Sequence, residues 1–182
     1  MGRVQPGMVL PSGPRIAPGD SRGLHPVTKE KDTPMAATLQ DMLLAPQTEP
    51  DVVADCLKLI QQEVAGKSGV SGTALKLAYK TANAFASGYL QHTVESLLPE
   101  MVTELEPYWA EFSASGASGF GDYLVKRGDE VSEALLSVTD ARAKLSDRPT
   151  IIKAYGAVRG SAAKHVTAAL PAVGALVQKH AI

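Results

Sequence analysis

Five side chains in the C-terminal third, Arg142, Arg159, Ser161, Lys164 and His165, are of the types that hold anions. A guanidinium grips a carboxylate or phosphate with a planar fork of donors. Arg159-Gly-Ser161, followed by Lys164 and His165, reads as a turn opening a helix, where free amides and an adjacent cation favour negative charge. Lys67-Ser68 leads into another Gly/Ser-rich turn of the same kind. Ordinary capping by Ser71 or Ser161 is the plainer account of both. Arg142 poses a sharper question, because it falls in the stripe of Val131, Leu135 and Val138, where an unpaired charge is costly. Either a carboxylate pairs with it, or its head snorkels at a helix end, or a small anionic ligand meets it in a pocket.

Other chemistries lack their residues. Gly66-Lys-Ser68 resembles the end of a phosphate-binding loop, but Gln61 stands where that loop needs glycine and a helical pattern precedes it. No glutamate is followed by histidine three residues on, and no two histidines have zinc-site spacing, so no metal and no cofactor is expected. The single cysteine, Cys56, lies on an apolar helical face and reads as core. Arg127-Gly-Asp129 is a helix stop followed by a cap. Nothing marks a nucleophile turn between strand and helix, so catalysis is not expected.

Charge is balanced, 18 basic against 19 acidic residues, but unevenly placed. Between Thr81 and Val125 there are six acids and no Lys or Arg; from Ser146 to Ile182 there are five bases and one acid. Five charges without interleaved aromatics are a poor footprint for nucleic acid. Acidic and basic helices are instead expected to neighbour each other, within the chain or across a homodimer. No apolar run approaches the ~18 residues that span a bilayer, and the N-terminus lacks a secretory apolar segment, which points to the cytoplasm.

The elements that must position these groups are helical. Thr38 with Asp41 makes a capping pair for a short helix to Ala45, and Pro50 opens an amphipathic one to about Gly66 carrying Val53, Cys56, Leu57, Ile60 and Val64 inward. A third runs from Gly72 to near Gly88 and a fourth from Tyr89 to Leu98. Pro99 begins a fifth with Leu105, Trp109 and Phe112, which Pro107 kinks or divides. Short helices are expected near Asp122–Arg127 and from Asp129 to Ser146. Pro149 and Ser161 open the last two, with a kink at Pro171. Residues 1–34 hold six prolines and five glycines and no apolar period, so they read as a disordered tail. The expectation is an all-α globular orthogonal bundle of about eight short helices over residues 35–182, with a plausible natural start at Met35.

Several stretches carry a resemblance: Val138-Thr-Asp-Ala-Arg142, Arg159-Gly-Ser-Ala-Ala-Lys-His165, Leu97-Leu-Pro99, Ala169-Leu-Pro171, Glu106-Pro-Tyr-Trp109, Arg127-Gly-Asp-Glu-Val131 and Lys67-Ser-Gly-Val-Ser-Gly-Thr73. Together they resemble a family of short uncharacterised bacterial proteins, a domain of unknown function, over roughly residues 35–181. The resemblance implies a small free-standing protein and supplies no activity or site residue. The sequence therefore favours an interaction or structural module without catalytic activity, as a homodimer or with an unidentified protein partner. The alternative is a binder of a small anionic ligand through Arg142 or the Ser161 helix start.

Overall fold

The structure, a computed structural model, describes residues 37–182. The expected tail, residues 1–34, and the start at Met35 lie outside the described residues. Seven helices and no strand occur among the described residues: α1 Leu39–Leu43, α2 Glu49–Gly66, α3 Gly69–Phe85, α4 Tyr89–Ser115, α5 Phe120–Val125, α6 Gly128–Leu145 and α7 Pro149–Ala181. The fold is thus all-α, and among the described residues no helix is long and apolar enough to cross a membrane.

Local signals place most boundaries. The Thr38 hydroxyl accepts from the Asp41 amide at 3.1 Å while the Asp41 carboxylate accepts from the Thr38 amide at 3.0 Å, a complete capping box. Glu106 of α4 reaches across to accept from the Leu39 amide at 3.0 Å, so one member of the acidic stretch serves as a second cap. Pro50 lies in the first turn of α2, where its missing N–H costs nothing. Gly69 and Gly88, both at φ +74°, turn the chain into and out of α3.

Two pairs of expected helices are each one. α4 runs 27 residues through Pro99 and Pro107, and α7 runs 33 through Pro171, about 50 Å of helix. An interior proline removes one backbone bond and bends the axis. Continuous burial on both sides of each proline outweighs that loss: Leu98, Val102, Leu105, Trp109 and Phe112 are all buried in α4. α3 also starts earlier than its glycines suggest, with Gly72 inside it rather than before it.

α7 is the central element, packed on α1, α2, α3, α5 and α6, and α4 packs on the same five helices. The buried aromatic rings of α4 and α5 meet each other. Trp109, Phe112, Phe120 and Tyr123 form a continuous cluster with ring centroids 5.0 to 6.4 Å apart. α2, α6 and α7 beyond Tyr155 contain no Phe, Tyr or Trp, so the inward faces of these segments are aliphatic. α3 is the least committed of the long helices. Its one buried residue is Gly72, while Val70, Leu77 and Phe85 are exposed.

Candidate functional site

The five expected anion-binding residues do not converge. Ser161 lies inside α7, not at a helix start, and its hydroxyl donates back to the Val158 carbonyl at 3.2 Å. Arg159 is already neutralised: its Nε lies 2.8 and 3.0 Å from the two oxygens of Asp140, and Nη2 donates to Glu133 at 3.1 Å. Tyr155 donates to the same Asp140 oxygen at 2.7 Å. Arg159 and then Tyr155 hold the Asp140 carboxyl below the usual carboxylate range. Lys164 is exposed.

Arg142 departs from the expectation of a buried guanidinium needing a carboxylate. It lies in the last turn of α6, exposed, with Nη2 3.5 Å from the Ser96 carbonyl and no ion pair among the described residues. Of the readings open to it, snorkelling at a helix end matches the geometry, since a long side chain near a terminus reaches water at little cost. Arg142→Met should therefore change stability by less than about 0.5 kcal/mol, the ordinary range of a surface substitution. Chemical denaturation of both proteins checks this; a shift of several kcal/mol would reinstate a structural ion pair.

The acidic and basic stretches also pair differently from expectation. Glu111 of α4 bonds Arg127 and Tyr123, whereas the basic C-terminal helix finds its carboxylates on α2 and α6, Lys179 with Asp55 and Arg159 with Asp140 and Glu133. His165 is half-buried against α3, and its Nε2 is buried without a hydrogen-bond partner. Burial, and then the positive charges of Lys67 and Lys164, push its pKa down. Lys67 and His165, far apart in sequence, thus come together, but Lys67 is held by Glu63 at 2.7 Å.

The concave feature that stands out lies elsewhere. Between α2, α4, α6 and α7 lies a cavity of about 370 Å³, open in part to the surface. Cys56 and Ile60 of α2, Leu97 and Met101 of α4, Leu136 of α6 and Val173 of α7 are among its walls. Facing side chains in a packed core interdigitate, so a space of this size between four helices marks a place where they do not meet. Its volume falls in the range of small-molecule sites, and its lining is nearly all hydrocarbon. The two hydroxyls in the wall are spent on the protein itself: Thr93 donates to Tyr89 at 2.8 Å, and Thr139 to Leu136 at 2.9 Å. The Cys56 thiol is pushed up to about 11 by burial and by the neighbouring Asp55 charge, which keeps it protonated and unreactive.

The helical period places Cys56 and Ile60 on an inward face but gives no sign of the space beside them, and it does not single out Leu136. A hydrophobic period tells which way a residue faces, not whether the facing residues are large enough to meet. The available signal was the absence of aromatic residues from α2 and α6 and from most of α7.

A family model described as a family of unknown function (DUF6918) matches residues 39–181. No curated protein and no solved structure matches the chain.

Proposed function

The chain belongs to this family of unknown function, and on that premise we propose that it is a small binding protein whose inter-helix cavity takes an apolar ligand. The observation that carries the reading is the cavity of about 370 Å³ with an aliphatic wall. Such a wall offers dispersion contacts and removal from water, and no group that would recognise charge. Binding rather than turnover is the proposed role, since among the described residues the only titratable group in that wall is the inert Cys56 thiol. A second reading, the interaction module without catalytic activity, rests on the exposed Val70, Leu77 and Phe85 of α3.

Titration with a neutral apolar fluorophore, N-phenyl-1-naphthylamine, tests the first reading. The full chain should bind it saturably at about one per chain. Val173→Phe or the milder Ala169→Leu, each placing more bulk in the cavity, should abolish binding while raising stability by about 0.5–2 kcal/mol. Binding that survives both substitutions, or none in the parent protein, would remove the cavity reading. An unchanged subunit number on native mass spectrometry would separate it from an effect on assembly.

A further inference from the structure

Beside the cavity lies a second concave space of different chemistry. It is a surface cleft of about 430 Å³ between α2, the end of α3 and the start of α4. Leu57 and Leu90 supply its apolar lining, and Leu90 also lines the inter-helix cavity, so one side chain stands between the two spaces. The polar lining is Lys58, Gln61, Tyr79, Asn83 and Gln91. It contains one cation, three amides and a phenol, and no carboxylate. Among the described residues the Lys58 ammonium makes no ion pair, and no side-chain hydrogen bond engages Gln61, Tyr79 or Asn83; Gln91 donates to Glu95 at 2.9 Å. The segment from Lys67 to Val94, which provides much of this cleft, holds no Asp or Glu at all.

Resting on the cavity reading, we infer that the cleft is the head-group subsite of the same ligand, which is therefore an amphiphile: a hydrocarbon tail beyond Leu90 and an anionic head at Lys58. The apolar cavity alone discriminates by shape and size. A cation flanked by amide and phenol donors adds recognition of a carboxylate or phosphate oxygen, since each of these groups can donate and of them only Gln91 is engaged by an acid, Glu95. Displacement of the half-buried Leu90 side chain, which lines both spaces, would join them, as a change of rotamer.

Displacement of N-phenyl-1-naphthylamine by dodecanoate, dodecanol and dodecyl phosphate tests the assignment in the full chain and in Lys58→Gln. Lys58 is exposed on α2, so its replacement leaves the fold intact. Both anionic amphiphiles should lose about fivefold or more in affinity in Lys58→Gln, as expected for one partly solvated charge contact. Dodecanol should be unaffected, and comparing the two anions tells which head the cleft prefers. Equal losses for dodecanol and dodecanoate, or no loss for either anion, would overturn the head-group assignment and leave the cavity standing. Failure of the fluorophore itself to bind would overturn both.

Discussion

Trp109→Ala should cost about 3–5 kcal/mol, the range for removing a large aromatic from a core. The indole is 8% exposed and stands edge-on to Phe120, centroids 5.0 Å apart and planes at 90°, with Phe112 at 5.4 Å on another side. Phe120 itself is fully buried, so the space left by the indole is sealed by rigid rings and by α5 rather than by flexible chains that could collapse into it. The edge-to-face contact adds a further share that alanine cannot replace. Against a total stability of about 5–15 kcal/mol for a domain, the substitution removes a large fraction. Urea denaturation should show a much lower midpoint with an unchanged slope. A variant of near-normal stability would mean that the aromatic cluster is not the anchor of the fold.

Gly174→Ala should be the most damaging of the conservative changes. A methyl group at that position of α7 would stand 2.3 Å from the Cα and the amide nitrogen of Gly121 and 2.8 Å from the carbonyl carbon of Phe120. These are backbone atoms, which cannot rotate away, so α5 must separate from α7. That movement also strains the clamp made by Gln178, which accepts from the Phe120 amide at 3.1 Å and donates to the Ser118 carbonyl at 3.0 Å. Overpacking of this kind costs about 3 kcal/mol, and for a domain of this size that lowers the thermal midpoint by roughly 10 °C. Gly156 and Gly160 are the internal controls, because a Cβ at either would meet nothing within 4 Å. Alanine there should stabilise by about 0.5–1 kcal/mol through helix propensity. A midpoint for Gly174→Ala equal to those of the controls would show that α5 and α7 are not in backbone contact.

The helical class, the Thr38–Asp41 cap, the Pro50 start and the burial of Trp109 and Phe112 were all legible in the sequence, because each rests on local spacing. The continuity of α4 through Pro99 and of α7 across Ser161 was not, since the competing term is tertiary packing that no local rule contains. Arg142 was misplaced for a related reason. Its position on the helical wheel matches the stripe, but α6 ends three residues later at Leu145, and a side chain in a last turn escapes the core. Gly121 and Gly174 read as two unremarkable glycines until the chain brings their backbones together. The cavity was the least legible feature, because it is a property of the volume between α2, α4, α6 and α7 rather than of any residue.

The loose attachment of α3 has a kinetic meaning for a ligand of the proposed kind. A helix that buries only Gly72 and is flanked by glycines at both turns belongs to the low end of local opening free energies, well below global unfolding. Tyr79 and Asn83, which line the cleft beside Leu90, are carried by that helix. Entry and exit would then be timed by the release of one helix rather than by the strength of contacts in the cavity. Affinity and residence time would answer to different residues: the first to α2, α4 and α7, the second to the outer arc and hinges of α3.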